Sequence, residues 1–177
     1  MNQLDAIRTL KTWAKQGRWV LTKHDLAKLF SGDQPKTFAA GLNRLVKAAI
    51  LVRACRGIYV NKEAAEEDIF IIERIAKALR PGEYSYISLE SMLSEYDLIS
   101  QIPIDRLTVM TTGRKGLYQT PYGTIEMTHT KRSIADILKN TRAIKNKPLR
   151  IATKKAAMRD LKRVGRNVDL IEGADHE

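Results

Sequence analysis

The sequence predicts an α+β protein in two parts, and three observations carry that prediction. Apolar residues recur at helical spacing from Leu4 to Ala49 and then give way to two β-prone runs flanking Arg56-Gly57. Residues 107–130 read as short β-branched strands separated by turn chemistry. Charge also changes sign along the chain. Residues 1–62 hold twelve Lys+Arg against three acids (+9), residues 63–130 six against eleven (−5), and residues 131–177 thirteen against six (+7). The switch from Arg/Lys-rich to Glu-rich sequence at Asn61–Glu67 sets the expected boundary. A first domain occupies 1–62 and a second 63–177, with 63–82 as a connecting helix.

Composition narrows the class. With 44% hydrophobic residues and few Gly and Pro among 177, the chain can bury a core, so disordered and collagen-like classes are excluded. Its longest purely apolar run, Ala48–Val52, is far short of the ~20 residues that span a bilayer. Met1–Leu10 contains Asp5 and no apolar stretch of the kind a secretory signal needs. The single cysteine, Cys55, excludes an intrachain disulfide and suits a reducing compartment. The expectation is a soluble, cytoplasmic protein with no membrane partner. Its net charge of +11 points to an anionic one.

In the first domain, Leu4, Ile7, Leu10 and Ala14 define a helix that Gly17 stops. Trp19-Val20-Leu21 suits a brief strand. Thr22, three residues before Asp25, resembles a capping box opening a second helix with Leu26, Leu29 and Phe30 inward. Ser31–Pro35 is turn chemistry, and Pro35 favours the first turn of a third helix. That helix carries Phe38, Leu42, Leu45, Val46 and Ala49 on one side. Lys36, Thr37, Ala40, Gly41, Arg44 and Lys47 lie on the other. Residues 51–60 read as a tight hairpin with Arg53 and Arg56 near its tip. Helix, strand, helix, turn, helix and basic hairpin is the order of a winged helix-turn-helix. A helix fits the DNA major groove, and Ala40 and Gly41 permit close approach. Lys36, Thr37, Arg44 and Lys47 then lie near base edges or phosphates, with Arg53 and Arg56 reaching the backbone or minor groove from the wing.

The second domain reads as a small mixed α/β unit with a mostly antiparallel sheet. Asp68–Leu79 is expected as a helix with Ile69, Ile72, Ala76 and Leu79 inward, and Glu63, Glu66, Glu67 and Asp68 as its solvated start. A second helix is expected from Ser88 as N-cap. Leu107–Thr112, Leu117–Thr120 and Ile125–Thr130 read as strands, with Gly113–Gly116 as a hairpin turn and Pro121–Gly123 as another. A helix at Ser133–Lys145, a strand at Leu149–Ile151, and a helix capped by Thr153 complete it. Ala157, Met158, Leu161 and Val164 face inward on the last helix, and Lys155, Arg159, Lys162, Arg163 and Arg166 line its outer face. That stripe reads either as a solvated face or as a docking surface. Glu172–Glu177 is expected as a frayed tail.

No catalytic constellation, metal site or cofactor is expected. His24, His129 and His176 lack ligand spacing with Cys55. His24 reads as a surface residue and His129 as a core or edge histidine. Cys55 has no identifiable base beside it. Gly113-Arg114-Lys115-Gly116 matches the GXXG of KH domains, but there the loop joins two helices. Asp160-Leu161-Lys162 echoes part of a nuclease motif without an acidic mate.

Ordered segments from end to end resemble the AbiEi-family antitoxins of type IV (AbiE-type) toxin–antitoxin systems. In the first domain these are Gly17–Thr22, Leu42-Asn43-Arg44-Leu45-Val46-Lys47 and Arg53–Val60. In the second they are Tyr86–Leu93, Leu107–Gly113, Thr120–Ile125 and Arg150–Thr153. The resemblance implies a non-enzymatic bacterial antitoxin of a phage-defence system. Its winged helix binds double-stranded operator DNA and autorepresses a two-gene operon, and its C-terminal domain counteracts a nucleotidyltransferase-like toxin without a stable complex. By position, Lys36, Thr37, Arg44, Lys47, Arg53 and Arg56 become the DNA contacts. Lys155, Arg159, Lys162, Arg163 and Arg166 become the antitoxicity or partner surface. A second copy of the chain is the further partner considered, as a dimer on DNA. The alternative reading is a solitary winged-helix transcriptional regulator whose second domain dimerises or senses a ligand.

Overall fold

A computed structural model describes residues 1–96 and 105–165, and the protein is mixed α+β. It divides into two compact units, Met1–Leu79 and Arg80–Glu177. No helix among the described residues is long and apolar enough to cross a membrane.

The first unit opens with α1 (Gln3–Lys15), capped by the Asn2 side chain, which accepts from the Leu4 N–H at 3.1 Å. Its buried positions are Ala6 and Leu10, while Leu4, expected inward, is 64% exposed. Leu4 stands about 120° round the helix from Leu10, so Ala6 takes the place beside the core. Strand β1 (Val20–Thr22) leads into α2 (Lys23–Leu29). The Thr22–Asp25 capping box is present, with the Thr22 Oγ accepting from the Asp25 N–H and the Asp25 carboxylate from the Thr22 N–H. Helix α3 (Pro35–Lys47) carries Pro35 in its first turn and buries Phe38, Gly41, Leu42 and Leu45. Strands β2 (Leu51–Cys55) and β3 (Ile58–Asn61) pair antiparallel across Arg56-Gly57, where Gly57 has φ +83. The three-stranded sheet has the order β1-β3-β2. Its core gathers Leu10, Leu21, Leu26, Phe38, Leu42, Leu45, Leu51 and Tyr59.

Two further helices, α4 (Lys62–Ala65) and α5 (Ile71–Leu79), belong to this same unit. The division therefore falls after Leu79, and a boundary at residue 62 cuts through packed structure. Charge sets what a segment shows to solvent, but packing decides where it belongs. Asp68, expected as a solvated helix start, is nearly buried. It accepts from the Trp19 indole N–H and from Arg74 Nε, both at 2.7 Å, and the Arg74 guanidinium lies 4.4 Å over the Trp19 ring. Ile69 is 84% exposed, and the buried residues of α5 are Glu73, Ile75 and Ala76.

The second unit is built on a six-stranded sheet in the order β6-β7-β5-β4-β9-β8. In chain order its elements are β4 (Ser85–Ile87), α6 (Glu90–Glu95), β5 (Arg106–Thr111), β6 (Gly116–Thr120), β7 (Gly123–His129), α7 (Ile134–Lys139), β8 (Thr141–Arg142), β9 (Arg150–Ala152) and α8 (Lys154–Val164). The β6–β7, β4–β5 and β8–β9 pairs are antiparallel, whereas β5–β7 and β4–β9 are parallel. Strand β7 lies between β5 and β6, so Gly113–Gly116 is not a hairpin turn. It is a short link carried across the end of β7, where His129 Nδ1 lies 2.8 Å from the Gly113 carbonyl oxygen. Arg80 fixes the link, donating from Nε and Nη2 to the Arg114 carbonyl at 2.8 and 2.7 Å. His129, expected as a core or edge histidine, is exposed at the end of this interior strand.

Helix α7 ends at Lys139 rather than Lys145, because the Asn140 side chain turns back to donate to Asp136 and Thr141 enters β8. Ser133 and Thr153 cap α7 and α8. Ser88 is not a cap. It is fully buried, its hydroxyl donates to Asp160 at 2.9 Å, and Leu89 with φ +59 turns the chain into α6. Arg166, His176 and the Glu172–Glu177 tail lie outside the described residues.

Candidate nucleic-acid interface

The outer face of α3 is made by the helical period. With Phe38, Leu42 and Leu45 fixed inward, Lys36, Ala40, Asn43 and Lys47 fall on the opposite side, and all four are exposed. Thr37 and Arg44 form one flank of this face and Ala39 the other. The two flanks differ. On the Arg44 flank, Nη2 donates to the Met1 carbonyl at 3.1 Å, and the Met1 amine pairs with Asp33 at 2.8 Å. The Met1 side chain covers Gly41, where an added Cβ would lie 3.1 Å from the Met1 sulfur. Gly41 therefore serves the packing of Met1, and it is Ala39 and Ala40 that leave the helix surface low.

On the Ala39 flank a groove of about 450 Å³ separates α3 from the β2–β3 hairpin. Arg53 and Arg56 line it from the hairpin, Ala39 and Asn43 from α3, and Lys23 from the first turn of α2. The hairpin is held against α2 by the Lys23 N–H, which donates to the Gly57 carbonyl at 2.7 Å. A bulge lets Arg53 oppose Tyr59 and Cys55 oppose Ile58, with Ala54 as the extra residue. Arg53 and Arg56 are exposed, and among the described residues neither they nor Lys23, Lys36 and Lys47 form an ion pair. Burial pushes the Cys55 thiol up, against a smaller downward pull from Arg53, so the neutral thiol is favoured.

Lys23 and Asn43 escaped the sequence reading. Lys23 carried no sequence signal, because it reaches the groove only through the pairing of Thr22 with Ile58, which puts the next residue beside Gly57. Asn43 was traceable, because it precedes Lys47 by one helical turn.

Compared with known proteins, the chain matches no family model and no curated sequence.

In the second unit, α8 places Lys155, Lys162 and Arg163 on its exposed face. A groove of about 570 Å³ runs along this helix, lined by Lys154, Lys155, Met158, Arg159 and Lys162. Arg159 departs from the expected stripe. Its guanidinium lies 3.5 Å from Asp136 and 3.7 Å from the fully buried Asp160. Arg132 bridges the same two acids at 3.4 Å each. The other Asp160 oxygen accepts from the Tyr86 and Ser88 hydroxyls, each at 2.9 Å. Asp160 is thus the hub of a charge-balanced internal network. Burial and the adjacent Asp160 carboxylate push the Tyr86 phenol well up, with Arg132 and Arg159 opposing.

Proposed function

We propose that the first unit is a winged helix-turn-helix that binds duplex DNA, and that the protein is an AbiEi-type antitoxin that represses its own operon. One observation carries the DNA reading. An exposed helix face bearing Lys36, Asn43, Arg44 and Lys47 stands across a groove from a hairpin tip bearing Arg53 and Arg56. A helix of this width enters a major groove, and cations on both sides of it meet the two phosphate backbones that flank that groove. The element order helix, strand, helix, helix, hairpin supports the winged-helix reading further. The antitoxin reading rests on the ordered sequence resemblance. It assigns counteraction of a nucleotidyltransferase-like toxin to the second unit and no catalytic role to the chain.

Salt dependence tests the DNA reading directly. Each neutralised phosphate releases a counterion, so about five contacts give a log–log slope of affinity on salt near −4.5. Arg56→Ala should reduce the slope by about 1 and weaken all sequences alike. Affinity for duplex that stays flat between low and moderate salt would end this reading.

A further inference from the structure

We infer that Asn43, rather than Arg44, is the residue of α3 that reads a base, and that the base is an adenine. The inference rests on the duplex-binding reading above.

The two residues are neighbours in sequence but lie in different settings. Arg44 stands on the flank closed by Met1, and one arm of its guanidinium already donates to the Met1 carbonyl at 3.1 Å. Held there, it is placed for the phosphate backbone at the rim of a groove. Asn43 lines the open flank together with Lys23, Arg53 and Arg56. Among the described residues its amide makes no hydrogen bond within the protein, so both its donor and its acceptor face outward.

Reach decides whether a side chain this short can read a base. An asparagine touches a base edge only if the helix backbone comes deep into the groove. The residues one turn before it on the same face are Ala39 and Ala40, which present the lowest surface available short of glycine. Lys36 and Lys47, at the two ends of the exposed face, bracket that low stretch. Cations around a shallow, uncharged centre hold the backbone on both sides and leave the centre to the base edge.

Chemistry decides which base. A carboxamide pairs bidentately with adenine, accepting from N6–H₂ and donating to N7. Lysine and arginine prefer guanine, and the groove-lining cations lie at the hairpin and at the first turn of α2, away from the helix centre. The specificity assigned here is therefore for an A·T pair beneath the middle of α3.

The test uses the full chain and a pool of duplexes randomised over a central window. Selection should enrich one A·T position. Asn43→Ala should erase the preference at that position by roughly 5- to 150-fold while leaving the salt slope unchanged. Arg44→Ala should weaken all enriched sequences equally. Asn43→Asp supplies a gain that misfolding cannot imitate, because an aspartate accepts from cytosine N4 and should move the preference from adenine to cytosine at the same position. The inference is overturned if Asn43→Ala leaves every enriched position intact, or if Arg44→Ala erases one position. A wild-type chain that enriches no sequence and binds duplex without salt dependence removes the duplex-binding reading and this inference together. A wild-type chain that selects sharply, with Asn43 silent, removes the inference alone.

Discussion

A buried aspartate shows how far one side chain can depart from its appearance in sequence. Asp160 sits on a helix rich in cations, where the sequence offered only an echo of a nuclease motif, and it is fully buried. Its hydroxyl partners lie 74 and 72 residues away in the chain, so no local pattern announces them. Two guanidiniums and two hydroxyls offset the cost of burying its charge, and losing any one leaves part of that charge uncompensated. The same arrangement makes a prediction at Tyr86. The folded state keeps the phenolic proton to higher pH than the unfolded chain does, because burial and Asp160 raise it from its ordinary value of 10.0. Its contribution to stability is therefore complete below about pH 10 and is lost as pH rises beyond that. Tyr86→Phe should cost about 1.5–3 kcal/mol at neutral pH, and the gap to wild type should narrow steadily above about pH 10. Denaturant unfolding of both proteins across that range reads it, and a gap that stays constant would refute it.

Elements were legible where their signals are local. The Thr22–Asp25 box, Pro35 at the start of α3 and the Thr153 cap all act within one turn, and each stands where its chemistry placed it. The phase of a helix is less local. Leu4 and Ile69 fit an apolar period but face solvent, because the core chooses which apolar residues to use. Strand pairing is less local still, and alternation along β7 identifies its faces without revealing that β5 is its parallel neighbour. In the candidate interface, the cations were legible from composition and period. The closed Arg44 flank was not, since it depends on a contact between residues 43 apart. The attachment of α5 to the first unit gives the prediction at this scale. Asp68 accepts from the Trp19 indole just ahead of β1, from Arg74 of α5 and from the Phe70 N–H, and its side chain is 5% exposed. Asp68→Ala should destabilise the first unit by about 2–3 kcal/mol, since a hydrogen bond to a charged group is worth about 1.5–3 kcal/mol. In a Trp13→Phe background, Trp19 emission should report the loss as a red shift and an earlier unfolding midpoint. An unchanged midpoint would mean that packing alone holds α5.

For the molecule as a whole, the net charge of +11 is the sum of two basic regions, +9 and +7, and an acidic one of −5, and the two basic surfaces carry separate proposed roles. The first faces a proposed groove in DNA and the second lies along α8. Neutralising Lys155, Lys162 and Arg163 together should abolish rescue from the nucleotidyltransferase-like toxin in a growth assay and leave operator affinity within twofold (about 0.4 kcal/mol). Loss of both activities in a folded variant would show that the surfaces are not independent. The topology of the second unit also bears on how the chain comes together. Strands β6 and β7 can close as a hairpin across Pro121-Tyr122 as soon as both have been synthesised, on a timescale of ~1–10 μs. Strand β5 can pair with β4 as soon as it is made, but its other edge must wait for the last strand of that hairpin, and the second edge of β4 waits longer for β9. Two parallel pairings thus close late over long stretches of chain, which slows assembly relative to a simple meander. Until residues 150–152 arrive, the growing sheet keeps an open β4 edge on the ribosome, so nascent chains stalled before that point should be prone to aberrant strand pairing.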